Sequence, residues 1–186
     1  MTRHFEVKLV RSQDPPPEAR SAQAAGRKTW LTRNLSFEVT YPHPPEKVWR
    51  ALTNPQAIAQ WLMQNDFKPE LRHKFQFRVV PKPRGWSGIV DCEVLEFDPP
   101  RRLAYSWCGS GIETMVRWTL EPAPEGTRLR LEHNGFRGMR GWMVSRMLGK
   151  GWSSKILAKN IPALLSRWSG EGPVPDVPEA HCTTEK

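Results

Sequence analysis

Six segments between Leu35 and His133 alternate apolar and polar residues, and this alternation constrains the fold more than any other feature. A period of two is typical of β-strands with one buried and one solvated face. Short turns rich in proline or glycine join the later segments, which favours antiparallel neighbours. The predicted inward residues of the last five strands are Phe75, Phe77 and Val79; Val90, Cys92 and Val94; Leu103, Tyr105 and Trp107; Thr114, Val116, Trp118 and Leu120; and Leu129, Leu131 and His133.

Helical signals flank these strands. Pro45–Thr53 begins with proline, which is tolerated in the first turn of a helix. Asn54 is a predicted N-cap for a second short helix that starts at Pro55. Near the C-terminus an apolar stripe predicts a long helix, which Pro162 should kink or split. The stripe consists of Trp152, Ile156, Ile161, Leu164, Leu165 and Trp168.

The segment from Arg137 to Gly151 combines glycine, methionine and arginine and has no clear period. We expect a connecting loop with a short helix around Trp142–Leu148. The alternative is a mobile lid over a cavity mouth that touches a membrane or an acidic partner.

The two ends of the chain lack such patterning. We expect a flexible N-terminal arm over residues 1–33, in which Phe5–Leu9 is a candidate strand that could pair with a sheet edge. The folded domain should cover residues 34–169, and the proline-containing residues 170–186 should form a disordered tail.

The formal net charge of +9 does not by itself indicate nucleic-acid binding. The arginines are spread along outward strand positions rather than gathered into a patch, so we expect a solvated basic surface and no nucleic-acid partner. No apolar stretch is long enough for an integral membrane segment. The chain shows no secretory signal, and its cysteines show no disulfide spacing, which favours a cytoplasmic protein.

Several motifs resemble the activator of heat-shock protein 90 ATPase family, in its C-terminal-domain form, within the START-like (SRPBCC) superfamily. The resemblance covers roughly residues 35 to 168. It rests on Pro45–Pro55, Ile58–Leu62, Gly88–Val94, Asp98–Trp107, Val116–Pro122, Gly126–Phe136 and Gly151–Trp152. It implies an α+β helix-grip fold: a curved antiparallel sheet of about six strands around a long C-terminal helix, with two short helices after the first strand.

The resemblance also bears on function. Single-domain members are expected to bind small hydrophobic molecules between the sheet and the helix. The chain departs from the family in its longer, more basic Arg137–Lys150 segment and in a 33-residue arm that is too short for the extra domain of chaperone activators. A chaperone partner is therefore the weakest inference from the family.

The candidate ligand-binding residues are the aromatic and inward polar side chains that should meet inside the sheet. The nine tryptophans of the chain are compatible with either a well-filled core or an aromatic-walled pocket. We predict that the ligand-binding wall consists of Trp61, Phe75, Phe77, Trp107, Trp118, His133, Phe136 and Trp152.

His133 is the inward polar residue of its strand. It could bind a ligand carbonyl or move a proton near neutral pH, or it could be a structural histidine satisfied by neighbouring N–H groups. Glu113 and Arg117 are either cavity groups or an exposed pair. The histidine spacing indicates no metal site, and no motif suggests a cofactor or a catalytic nucleophile.

Three functions remain open. The leading prediction is non-enzymatic binding of a lipid-like or aromatic ligand in an apolar cavity. The second is a START-like enzyme of the cyclase or hydrolase type that uses the same cavity, and the third is a chaperone co-factor or other protein-interaction module. An interaction module should expose an apolar patch. The sequence leaves homodimerisation open.

Overall fold

The computed structural model of the protein describes residues 8–9, 32–80 and 87–175. The strands are β1 (Lys8–Leu9), β2 (Thr32–Tyr41), β3 (Gln64–Asn65), β4 (Lys74–Arg78), β5 (Ile89–Asp98), β6 (Arg102–Gly109), β7 (Ile112–Ala123) and β8 (Gly126–Arg137). The helices are α1 (Pro45–Thr53), α2 (Pro55–Trp61), α3 (Gly138–Lys150), a π-helical segment (Gly151–Asn160) and α4 (Ile161–Arg167).

All strands belong to one antiparallel sheet in the order β1-β2-β8-β7-β6-β5-β4-β3. The six predicted strands are all present, and the two additional strands have two residues each and lie at the sheet edges. A bulge between Val94 and Glu96 shifts the β5–β6 register. The predicted helix-grip architecture is confirmed, because the sheet curves around the C-terminal helix and two short helices follow β2.

The two faces of the sheet differ as the alternation predicts. All the predicted inward residues except Val79, which is half-buried, are buried on the concave face. The convex face carries ion pairs, including one between Arg130 Nη2 and Glu38 Oε2 at 3.1 Å. Arg117 lies on this face, with its Nε 3.3 Å from Glu96 Oε2. Glu113 is exposed, so the alternative that placed Glu113 and Arg117 in the cavity is wrong.

The first two helices begin as predicted. The Asn54 side chain accepts a hydrogen bond from the Ala57 N–H at 3.0 Å, and this cap separates α1 from α2. The helices are held together by the Trp61 indole N–H, which donates to the Ala51 carbonyl at 2.8 Å. This contact fixes Trp61 against the core rather than leaving its N–H for a ligand.

The short helix predicted around Trp142–Leu148 is present, but the expectation of a connecting loop on either side of it is wrong. Helix α3 covers Gly138–Lys150 and continues without a break into the π-helical segment. Two of its glycines face the sheet: a Cβ on Gly141 would lie 2.9 Å from the Phe136 carbonyl carbon. Close packing of small residues therefore outweighs their low helix propensity. Regular α-helix resumes at Ile161, with Pro162 in the first turn, where it requires no N–H partner.

The predicted termini lie mostly outside the described residues. Lys8 and Leu9 pair with Glu38 and Phe37 at the edge of the sheet. This agrees with the prediction that a strand within Phe5–Leu9 could pair with a sheet edge. At the other end, the Gly170 carbonyl accepts a hydrogen bond from Arg50 Nη1 at 3.0 Å. The division into arm, domain and tail otherwise stays a prediction.

Candidate functional site

A mainly apolar pocket opens between the C-terminal helix and one end of the sheet. Its volume is about 220 Å³, and it is partly open to solvent. The helical side is lined by Leu62, Met63, Val144, Met147, Leu148, Gly151, Trp152 and Ile156, and the sheet side by Val79, Val90, Trp107, Gly109, Ser110 and Ile112. No charged residue occurs among the described residues of the lining, so an uncharged ligand fits it best.

The eight predicted wall residues form one continuous aromatic layer. Successive ring centroids lie 5.2 Å apart for Phe75 and Phe77, 5.5 Å for Phe77 and Trp107, and 6.0 Å for Trp107 and Trp152. The layer continues from Trp152 through Trp118 to Trp61, and from Trp107 through His133 to Phe136. Of the eight, Trp107 and Trp152 line the pocket, whereas the other six pack behind it as core.

His133 lies directly behind the pocket wall in a chain of hydrogen bonds. The Trp152 indole N–H donates to His133 Nδ1 at 3.1 Å, so the neutral imidazole carries its proton on Nε2. That N–H donates to Thr114 Oγ1 at 2.8 Å, and the Thr114 hydroxyl donates to the Trp107 carbonyl at 3.2 Å. Every polar atom of the imidazole is therefore occupied by the protein.

Burial lowers the pKa of His133 from its ordinary value of 6.5 to about 3. The imidazole is consequently uncharged at neutral pH. Its ring and hydrogen-bond neighbours among the described residues are Thr114, Trp107, Phe136 and Trp152, none of which is an acid. This arrangement matches the structural interpretation of His133 and provides no acid–base pair.

One tryptophan of the pocket wall differs from its neighbours in its indole N–H. The indole N–H groups of Trp61, Trp118 and Trp152 donate to Ala51 O, Tyr105 Oη and His133 Nδ1. The Trp107 indole N–H has no acceptor within the described part of the chain, although the Trp107 ring lines the pocket. A ligand acceptor near this ring would gain a hydrogen bond that the protein itself does not supply.

Comparison with known proteins agrees with this architecture. A family model described as activator of Hsp90 ATPase homolog 1-like protein matches residues 42–166, which is more than half of the chain. The chain belongs to this family. The match confirms both the predicted START-like relationship and most of the predicted range, and it includes the basic segment that is now seen as α3.

Solved structures show the same relationship. Protein MLL2253 from Mesorhizobium loti is 38% identical, with a TM-score of 0.61 over 73% of this chain and 98% of that protein. CalU16 from Micromonospora echinospora is 25% identical, with a TM-score of 0.60 over 95% of this chain and 80% of that one. Protein BH1534 from Bacillus halodurans, at 24% identity and a TM-score of 0.60 over 73% of this chain and 98% of that one, shows the same fold. A search of curated proteins gave no match.

In this member of the Hsp90 ATPase activator homolog 1-like family, neither described thiol is activated. Burial raises the pKa of Cys92. Burial, followed by the nearby Glu113 and Asp91 carboxylates, raises the pKa of Cys108. A raised thiol pKa reduces the thiolate fraction and hence the nucleophilicity. The groove that contains Cys108 lies outside the apolar pocket and shares with it only Gly109 and Ile112.

Two further features follow from the described residues. No three of their histidine, cysteine, aspartate and glutamate side chains lie close enough together to hold a metal ion. None of the helices in the described ranges is long and apolar enough to cross a bilayer.

The sequence indicated the buried aromatic residues but not most of the pocket lining. Ile156 was already on the predicted helix stripe, and Val144, Met147 and Leu148 lie in the segment for which a lid was one interpretation. Gly109, Ser110 and Ile112 form the β6–β7 turn and carry no chemical motif. Their role depends on the position of α3, which the sequence pattern did not predict.

Proposed function

We propose that the protein binds a small, uncharged and largely apolar molecule in the pocket between the C-terminal helix and the β6–β7 end of the sheet, without converting it chemically. The observation that carries this proposal is a pocket of about 220 Å³ whose described lining is uncharged and includes Trp107, an indole without an acceptor among the described residues. Ligand pockets typically measure about 300–1,000 Å³, so the ligand is small or extends from the open mouth.

The chemistry around the pocket supports binding rather than catalysis. His133 is uncharged, and both of its nitrogens are occupied by protein groups. The Cys92 and Cys108 thiols have raised pKa values. A cyclase or hydrolase would need a positioned acid, base or nucleophile at the ligand. In the described part of the chain the lining contains no acid or base, and its one hydroxyl, on Ser110, has no hydrogen-bonded base to activate it.

The Trp107 N–H suggests the polar part of the ligand. A carbonyl or ether oxygen could accept its hydrogen bond, whereas a carboxylate buried in this lining would lack a charged partner. We therefore propose an aromatic or aliphatic molecule with one neutral acceptor.

Two probes that differ only in this acceptor test the proposal: acetylnaphthalene, which has a carbonyl, and ethylnaphthalene, which does not. Calorimetry should show that the wild-type protein binds the ketone about fivefold more tightly, since a neutral hydrogen bond contributes about 1 kcal/mol. Trp107→Phe keeps a ring but removes the donor, and it should abolish the preference. Equal binding of the two probes by the wild type would contradict the assigned donor.

A substitution that fills the pocket tests whether the probes bind there. Val144→Phe adds volume at the pocket wall and should abolish binding of both probes. Lys155→Phe is the matched control, because Lys155 is exposed and does not line the pocket. If the wild type binds neither probe, or if Val144→Phe binds as well as Lys155→Phe, the proposed site is wrong.

A further inference from the structure

Helix α3 packs on the sheet through its smallest residues. Gly141 and Ser145 are its buried residues, and one turn further a Cβ on Gly149 would lie 3.6 Å from the Leu35 methyl groups. The spacing of four places these three residues on one face of the helix. The helix therefore approaches the sheet closely along this face, and of its larger apolar side chains only Val144 and Leu148 pack against the core, half-buried.

Four other large side chains of α3 are exposed to solvent. Met139, Trp142, Met143 and Met147 have exposures of 70%, 43%, 62% and 65%. We call these four residues the α3 patch. Exposed large apolar residues are unremarkable when scattered, but four on one short helix form a patch that indicates an interaction surface. Such an exposed apolar patch is also what the interaction-module hypothesis requires.

The stretch of sequence that contains the patch carries only positive charge, and the nearby Asp91 and Glu113 carboxylates line a separate groove with Arg137. The sequence from His133 to Gly170 contains seven lysines and arginines and no aspartate or glutamate. Arg137, Arg140, Arg146 and Lys150 on or next to α3 are exposed, and the Arg146 guanidinium lies 5.2 Å from the centre of the Trp142 ring. Apolar side chains with an amphipathic tryptophan and flanking cations are typical of helices that lie in the surface of an anionic bilayer.

We propose that the α3 patch and its flanking cations dock the protein on an anionic lipid bilayer. Symmetric docking of a second copy is disfavoured because it would bring the same cations together. Met147 belongs to the patch and also lines the pocket, so the patch leads directly to the pocket mouth. If the proposed function holds, an apolar ligand dissolved in the bilayer reaches the pocket without crossing water. This continuity favours a membrane over an acidic protein as the partner.

Vesicle co-sedimentation tests the docking. The full chain should bind vesicles of phosphatidylcholine and phosphatidylglycerol in equal parts, and it should not bind pure phosphatidylcholine vesicles. Arg146→Glu with Lys150→Glu should lower the affinity by at least about twentyfold, since each cation near an anionic surface contributes about a fivefold factor. Met139→Gln with Met143→Gln should lower it about tenfold through the lost apolar burial.

Matched controls lie away from α3. Lys68→Glu changes the charge at another exposed position, and Leu71→Gln removes an exposed leucine, so both should leave vesicle binding unchanged. The proposal is overturned if the wild type does not bind anionic vesicles, if the α3 variants bind like these controls, or if polyglutamate competes as well as the lipid.

The same variants separate this proposal from the proposed function. None of the substituted residues lines the pocket, so each variant should still bind acetylnaphthalene in the absence of vesicles. A protein that binds acetylnaphthalene but not vesicles refutes membrane docking alone. A protein that binds vesicles but not acetylnaphthalene refutes the pocket alone.

Discussion

The two ends of the C-terminal helix contact the same sheet in opposite ways. Helix α4 buries Ile161, Leu164 and Leu165 completely, and the interior beneath it is sealed. Helix α3 buries a glycine and a serine, exposes its methionines, and borders the pocket. Helix α4 therefore covers a closed core, whereas α3 borders an accessible cavity through Val144, Met147 and Leu148. The same helix has its stabilising region at one end and its binding region at the other.

His133 shows where the sealed interior begins, because it lies one layer behind the pocket wall. Its pKa is about 3 in the folded protein and close to 6.5 when unfolded, so the unfolded chain binds more protons between these values. The stability that depends on an uncharged His133 is therefore fully present above about pH 6.5. The free energy of unfolding falls by several kcal/mol as the pH is lowered toward 3. Urea unfolding at a series of pH values in this range gives the free energy of unfolding as a function of pH. This free energy should fall steeply with decreasing pH for the wild type and less steeply for His133→Gln.

Equal pH dependence of the unfolding free energy in the two proteins would contradict the placement of His133 in the closed interior. It would mean that water reaches His133 from the pocket and that the histidine keeps an ordinary pKa. Carboxylates also titrate in this range, so the difference between the two pH dependences, rather than either one alone, is the relevant measurement.

Matched leucine truncations compare the two ends directly. Leu164→Ala should lower the free energy of unfolding by about 3 kcal/mol, because it leaves a cavity in a closed core. Leu148→Ala should lower it by about 1 kcal/mol, because Leu148 is only half-buried and already borders an open pocket. Urea unfolding at neutral pH measures both values, and equal losses would contradict the distinction between the two ends.

Because α3 lies close to the sheet, replacing two of its glycines by alanine should change the free energy of unfolding by smaller amounts and in opposite directions. A Cβ at Gly141 would lie 2.9 Å from the Phe136 backbone, so Gly141→Ala should destabilise the protein by about 1 kcal/mol despite the better helix propensity of alanine. A Cβ at Gly149 would make ordinary contacts with Leu35 and Phe37. Gly149→Ala should therefore stabilise the protein by about 0.5 kcal/mol. Thermal unfolding of both variants checks the signs, and stabilisation by both would exclude tight packing at Gly141.

Most of the fold could be predicted because its signals are local. Alternation identified the six long strands and their inward faces, and Asn54 with the two helix-initial prolines identified α1 and α2. Helix α3 could not be predicted in the same way, since Gly141 and Gly149 oppose helix formation by local propensity and are explained by contacts with Phe136 and Leu35. Leu35 lies in β2, far from α3 in the sequence, and Phe136 lies in β8, so neither contact is visible in the local pattern of α3.

The site was less predictable for a related reason. Alternation shows which side chains face the interior, but it does not show whether that interior is filled. Trp118 and His133 face inward as predicted, yet they pack against other rings. The pocket lies beside Val144, Met147 and Leu148 of α3, so its location depends on the packing of one helix rather than on the strand pattern.

The order of the strands also has a consequence for synthesis of the chain. Strand β2 is the first long strand to leave the ribosome, but its partner β8 is the last, with Leu35 opposite His133. Strands β5 to β8 can form their hairpins from local contacts, whereas β2 must wait for a contact that is distant in sequence. Until β8 has emerged, a nascent chain therefore carries β2 with its β8-facing edge unpaired, and such an edge is prone to aggregation.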